Sequence, residues 1–535
     1  MKKNIIKYTA LTMAVSVVSA AFTSCGEDGE FSSYNPNHYN NYDNSYTEGD
    51  FDESYGSYKE ELNTEEYNRY AESGFKNPDT DPLSTFAVDV DTASYTNARR
   101  FIENGQTVPK DAVRVEEFLN YFDYDYEAPQ NGDKFSSYVE LGECPWNSKN
   151  KLMMVGIQGE TLKDDELPPS NIVFLIDSSG SMASYDKLPL VQSAFSMLTD
   201  KLSEKDRISI VTYANSSETV IAGADSSHKD EIIDAIYSIT ASGGTNGEGG
   251  IETAYELAEK YFIKGGNNRI ILATDGDLNI GRSSEKELTE LISEKRDKGI
   301  YLSVLGFGTG NLKDNRMEAL ADKGDGNYSY IDSVDEARRV LVEEMGGTLF
   351  TIAKDVKIQV EFNPSQVKSY RLIGYDNRLL NAEDFYDNSK DAGEVGAGHS
   401  VTALYEVELA GNSGGSYKGI PLEFASEHTE PLEPVAESGR PEICKLSVAY
   451  KDVSDNDRDV YLSQLFGMER YNSVPTDRMK LASAVTEFAL VLKDSEFKGE
   501  SDIFHVLETA RTLYGTGEKN ENFADIVSKA AVIYK

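Results

Sequence analysis

From Asn171 to about Gly347 the chain alternates short apolar runs with amphipathic stretches at helical spacing, and this alternation restricts the fold more than any other feature. Ile172-Val-Phe-Leu-Ile176 is an unbroken apolar run of the kind found in a parallel strand buried on both faces. Similar runs follow at Ile208–Tyr213, Ile270–Ala273 and Tyr301–Leu305. Helices are expected between them over Leu190–Leu202, Lys229–Ile239, Ile251–Phe262 and Glu285–Lys298. The last carries Leu288, Leu291 and Ile292 on one face and stops at Gly299. A further helix is expected over Asp335–Met345. Strands and helices in this order imply a doubly wound, mainly parallel, Rossmann-like α/β sheet.

Open sheets of this kind place their sites beyond the carboxyl ends of the strands, and three oxygen-rich segments fall there. Asp177-Ser178-Ser179-Gly180-Ser181 sets a carboxylate and two hydroxyls on one tight loop after the first apolar run. Gly243-Gly244-Thr245-Asn246 adds a hydroxyl just before a helix, and Thr274-Asp275-Gly276-Asp277 a carboxylate after a strand. Hard oxygen donors with few carboxylates suit Mg²⁺ or Mn²⁺, held octahedrally at about 2.0–2.1 Å with waters retained. Ser179, Ser181 and Thr245 are expected to touch the ion, and Asp177 and Asp275 to bind it or hold its waters. Asp277 is read as a loop cap or as a group in the ion's outer hydration. Such a set leaves one position for an acidic side chain of a protein partner.

Strands are also expected on both sides of this unit. They fall over Phe86–Val90, Phe135–Leu141 and Leu152–Gln158 before it, and over Val356–Phe362, Val367–Ile373, Val401–Leu409 and Ile443–Val453 after it. The α/β unit therefore reads as an insertion into a β-rich, sandwich-like domain, followed by a helical tail from Asp457. The boundaries expected are a signal segment over 1–24, a disordered acidic tether over 25–80, and an N-terminal flank over 81–168. The α/β domain then spans 169–349, the β-rich domain 350–455 and the helical region 456–535.

The first segment is a targeting signal: Lys2, Lys3 and Lys7 precede a small and apolar stretch too short to span a membrane. It ends in Phe22-Thr23-Ser24-Cys25, which resembles a lipobox with Phe22 in place of the usual Leu. Cys25 is the expected lipidation site, and its lipid the expected membrane anchor in the cell envelope. Residues 26–80 hold 14 acids against 3 bases and lack periodic aliphatics, so they cannot bury enough apolar area to order themselves. The formal net charge of −40 excludes nucleic acid as a partner. Cys144 and Cys444 are left open between a disulfide and two buried thiols.

Several signals are set aside. Asp89 and Asp91 are read through helix capping by Asp91 or Thr92, rather than as a phosphatase pair. Gly306-x-Gly308-x-Gly310 lacks the spacing of a phosphate cradle and reads as a flexible turn, as does Gly411-Asn412-Ser413-Gly414-Gly415. No nucleophile and base pair emerges, so no catalytic residue is named and no enzyme is expected.

The Asp177–Ser181, Thr245 and Asp275 segments resemble the metal-ion-dependent adhesion site of von Willebrand factor A domains. Phe86–Arg100, Cys144-Pro145-Trp146-Asn147, Asp391–Glu406 and Ala484–Phe488 resemble the flanks of a family of bacterial lipoproteins carrying such a domain. The resemblance runs from Phe86 to the C-terminus. It implies an envelope lipoprotein that mediates metal-dependent protein–protein interaction or adhesion. The alternative is a structural or assembly component in which the metal only stabilises the fold.

Overall fold

The computed structural model describes residues 64–163, 166–276, 282–410, 442–455 and 457–535. The chain opens with β1 (Leu83–Ala87), α1 (Ala93–Glu103), α2 (Val115–Asn120) and the antiparallel pair β2 (Phe135–Glu143) and β3 (Lys151–Gly159). The α/β unit follows as β4 (Ser170–Asp177), α3 (Leu188–Lys201), β5 (Arg207–Tyr213), β6 (Ser217–Asp225), α4 (Lys229–Ser238) and α5 (Gly247–Lys260). It continues through β7 (Asn267–Thr274), α6 (Arg282–Asp297), β8 (Ile300–Phe307), α7 (Asp314–Lys323) and β9 (Tyr328–Ile331). α8 (Val334–Arg338), a π-helical turn over Arg339–Glu343 and α9 (Met345–Leu349) lead out of it. There follow β10 (Thr351–Phe362), β11 (Val367–Ile373), β12 (Leu379–Leu380), β13 (Gly393–Gly396), β14 (Ser400–Leu409), β15 (Glu442–Asp452) and β16 (Arg458–Gly467). α10 (Asp477–Lys493), α11 (Ile503–Arg511) and α12 (Glu518–Ile533) close the chain.

The α/β sheet has the order β6-β5-β4-β7-β8-β9, parallel except for β6. β4 lies at its centre with all eight residues buried, because helices cover both faces. Ile172, Phe174 and Ile176 point to one core and Val173 and Leu175 to the other. Phe174 stacks on Phe195 of α3 at 4.2 Å between ring centres. The remaining strands form two antiparallel sheets, β12-β1-β10-β15-β16 with β13 on β10, and β11-β14-β3-β2. Their inward residues share one core, as Phe362 against Tyr370 and Tyr405 illustrates. The other face of β3, through Leu152 and Met154, packs with Phe118, Phe488 and Phe523 of the helices. β3 is thus apolar on both faces for the same reason as β4.

Several expectations need correction. The tail does not turn helical at Asp457: Arg458–Gly467 pairs antiparallel with β15 and the helices start at Asp477. β16 is an edge strand with most of its residues exposed, so it lacks the apolar alternation that marks a half-buried strand. β6 and β9 were not foreseen, the first being a half-buried edge strand with no fully buried residue and the second only four residues long. The acidic stretch also orders earlier than residue 80. The Thr64 amide donates to the Gly310 carbonyl at 2.9 Å, and the Glu66 amide to that of Leu312 at 3.0 Å. Glu65 pairs with Arg100 at 2.8 Å and Glu66 with Lys313 at 2.7 Å. Here fixed cations and a free loop edge do what apolar burial cannot. Cys144 and Cys444 are both buried free thiols. Among the described residues no helix is long and apolar enough to cross a membrane. The segment with Cys25 and the Gly411–Gly415 run lie outside the described residues.

Candidate metal centre

Asp177 is the last residue of β4, where the chain must turn away from the sheet. Its Oδ1 accepts the Ser179 amide at 2.9 Å, which closes the turn and brings the Ser179 and Ser181 hydroxyls to 3.0 Å of each other. The Thr245 loop is tied to this turn by its backbone: the Gly180 amide donates to the Gly243 carbonyl at 3.0 Å, and the Ser242 amide to the Ser178 carbonyl at 2.8 Å. Asn215 holds the same loop from beneath by accepting the Gly244 amide at 2.8 Å. Gly243 sits at φ +82°, and a Cβ there would lie 2.7 Å from the Asn215 side chain, so a glycine is required. Asn246 then caps α5 through the Gly249 amide. Asp275 follows β7, the parallel neighbour of β4, so the two carboxylates end adjacent strands.

Asp177, Ser179 and Asp275 are buried, Thr245 is half-buried, and Ser181 is exposed. The group therefore opens outward on the hydroxyl side. The Tyr213 and Thr274 hydroxyls both donate to Asp177 Oδ2, at 3.2 and 3.1 Å. Burial pushes the Asp177 carboxyl up to about 6; the Ser179 hydroxyl and amide pull it down, and the nearby Asp275 charge adds to the rise. Burial also works against ionisation of Asp275, but Lys187, Asn311 and Ser181 outweigh it and hold that carboxyl below its usual value. Lys187 Nζ stands 2.9 Å from Asp275 Oδ2.

The arrangement fits a hard divalent cation. Neighbouring ligands of an octahedral ion with bonds of this length lie about 2.8–3.0 Å apart, which is the spacing of the two serine hydroxyls. The Asp275 charge raises the cost of ionising buried Asp177, and Lys187 hydrogen-bonds to Asp275 alone of the two. Of the residues expected at the site, Asp177, Ser179, Ser181 and Asp275 come together through their side chains, and Thr245 lies on the loop tied to them by its backbone. Asp277 lies outside the described residues. Sequence reasoning missed Tyr213, Thr274, Asn215, Lys187 and Asn311. Two of these had a signal: Thr274 stands in the segment that carries Asp275, and the parallel register sets Tyr213 opposite Asp177.

The Asp89–Asp91 pair is not a helix cap. Thr92 makes no capping bond, and Asp91 accepts the Tyr328 amide at 2.8 Å, at the start of β9. The Ser94 amide at the head of α1 goes instead to Glu117 of α2 at 2.7 Å. A second acidic group brings Asp325, just before β9, together with Asp391 and Glu394 at β13. Arg296 approaches both aspartates at 3.4 and 3.1 Å, and Lys354 approaches Asp325 at 3.6 Å, so cations already compensate it. A cleft of about 700 Å³ between the two antiparallel sheets, bordered by Tyr138, Gln158, Leu446 and Gln464, has no residue of the metal centre in its lining.

Comparison with known proteins matches three stretches. Residues 61–154 match a von Willebrand factor family, residues 171–343 the von Willebrand factor type A domain, and residues 347–533 the C-terminal region of an uncharacterized protein, YfbK. The chain is 40% identical to the uncharacterized protein YfbK of Escherichia coli over 462 residues, covering 84% of this chain and 78% of that one. It is 27% identical to the inter-alpha-trypsin inhibitor heavy chain H3 of Mesocricetus auratus, over 42% of this chain and 25% of that one. Among solved structures, a von Willebrand factor type A protein from Catenulispora acidiphila is similar over 76% of this chain and 91% of that one, with 12% identity and a TM-score of 0.42.

Proposed function

The chain belongs to the family of the Escherichia coli protein YfbK and carries a von Willebrand factor type A domain, and from that premise we propose that it is an envelope lipoprotein, anchored through Cys25, that captures a protein partner at a metal-dependent site. The ion is Mg²⁺ or Mn²⁺, held by Asp177, Ser179, Ser181, Thr245 and Asp275, and it supplies a coordination position for a partner's carboxylate. The function is binding rather than catalysis.

The observation that carries this reading is the convergence of four oxygen-bearing side chains on one sheet edge, buried on the carboxylate side and open on the hydroxyl side. The protein's own residues position the oxygens: the Ser179 amide orients Asp177, the Tyr213 and Thr274 hydroxyls satisfy its second oxygen, and Asn215 steadies the Thr245 loop. Tyr185, 87% exposed four residues after Ser181, offers the kind of rigid aromatic that anchors interfaces beside such a site. The likeness to inter-alpha-trypsin inhibitor heavy chains supports a part in protein interaction.

The test is capture from envelope extract in the presence of Mg²⁺, comparing wild type with Asp177→Ala. Wild type should retain a partner that EDTA releases, while Asp177→Ala, folded by circular dichroism, should retain none. A partner held equally by both proteins would end the proposal.

A further inference from the structure

Lys187 is placed with more care than a surface lysine needs. It immediately precedes α3 and is only 7% exposed. Its ammonium donates to Asp275 Oδ2 at 2.9 Å and to Asn311 Oδ1 at 3.2 Å. Its aliphatic stem lies over Gly308, where φ is +74° and a Cβ would come 2.3 Å from Lys187 Cε. The Gly306-x-Gly308-x-Gly310 run that reads as a flexible turn in sequence is thus, at Gly308, a seat for this side chain. Asn311 lies on the loop that Thr64 and Glu66 hold by backbone hydrogen bonds, and Glu65 accepts the Gly310 amide at 3.0 Å. A buried ammonium and a buried carboxylate are brought together by two loops and the incoming N-terminal segment. Such a pair is costly to desolvate and strongly destabilising to break from one side.

We propose that Lys187 is a resident counter-cation that competes with the divalent ion for Asp275 and so sets the metal affinity of the site. This rests on the metal reading given above. Asp177 and Asp275 bring two negative charges to the ends of adjacent strands, and Lys187 cancels one of them in a place where charges are poorly screened. The fold is thereby supported without metal. A divalent ion entering beside the ammonium meets a carboxylate already engaged and a like charge within a few ångströms. The site accordingly fills only as the metal concentration rises, and partner capture follows that concentration. Asn311 and Gly308 act as positioning residues for the ammonium.

The experiment measures Mn²⁺ binding by calorimetry and thermal melting in EDTA and in MgCl₂, on the full chain. The proteins are wild type, Lys187→Met, Lys187→Gln and Asp177→Ala; the glutamine keeps a donor toward Asp275 if the methionine variant folds poorly. Removing the charge should tighten Mn²⁺ binding by roughly tenfold or more. It should also lower the melting temperature in EDTA and enlarge the rise on adding MgCl₂. If both variants bind Mn²⁺ no more tightly than wild type while Asp177→Ala abolishes binding, the role of Lys187 is overturned and the metal reading stands. If no variant binds Mn²⁺, or Asp177→Ala binds as wild type does, the metal reading fails and this inference fails with it.

Discussion

At the scale of single residues, the oxygen cluster of the candidate site was legible because Asp177, Ser179 and Ser181 share one turn, where spacing alone dictates proximity. Lys187, Asn215 and Asn311 were not, because each reaches the site from a separate loop, and nothing local to a lysine or asparagine reveals where it points. The same limit explains the error over Asp91. The capping rule sees only the nearest residues, whereas tertiary packing brought the Glu117 carboxylate to the free Ser94 amide. Glu336 shows what pairing is worth when a neighbour, Arg339, and a distant residue, Arg99, meet on one buried carboxylate. Burial opposes its charge, but Arg339 and Arg99 outweigh this and hold it at about 2, against an ordinary value of 4.5. Arg99 donates to it at 2.9 Å and Arg339 Nε at 2.9 Å. A carboxyl with a depressed value stabilises the fold in full above 4.5, and that contribution is lost as pH falls from there toward 2. Glu336→Gln should therefore cost about 3 kcal/mol at neutral pH and flatten the acid limb of stability. Urea midpoints between neutral and acid pH read both effects, and parallel pH profiles for the two proteins would refute the assignment.

At the scale of elements, β4 was recognisable because burial on both faces leaves an unbroken apolar run at Ile172–Ile176, and β3 because it alternates like β2, with which it pairs. β16 was missed for the opposite reason: an edge strand is specified by the backbone of β15 and needs little from its own side chains. The segment from Thr64 to Glu66 is the extreme case, since it has the composition of a disordered tether and is ordered by Arg100, Lys313 and the edge of the 310–313 loop. Glu65→Ala should leave the Arg100 guanidinium, 8% exposed, without its carboxylate and the Gly310 amide without an acceptor. The expected loss is about 3 kcal/mol. Hydrogen exchange should accelerate at Thr64, Glu66 and Gly310 before the rest of the α/β sheet responds. Uniform acceleration across the sheet would mean that the segment is not a separate clamp.

At the scale of the whole molecule, the net charge of −40 would shape how an acidic partner approaches the proposed cation site. Repulsion acts at long range, yet the Debye length is only about 8 Å at physiological salt, so close in the dication governs. Association with a carboxylate-bearing partner should quicken as monovalent salt rises from about 0.05 to 0.15 M, a result stopped-flow mixing can measure. A rate that falls over that range would point to a basic contact face and against carboxylate capture. The amino-acid sequence alone determined the strand–helix alternation, the flanking strands and the identity of the oxygen donors, because periodicity and short-range spacing act locally along the chain. Only the tertiary structure decided where the acidic stretch becomes ordered, which carboxylate caps α1, and that a lysine pairs with Asp275. Those outcomes depend on charges meeting across large separations in sequence, and their energies exist only once the loops that carry them have been folded against one another.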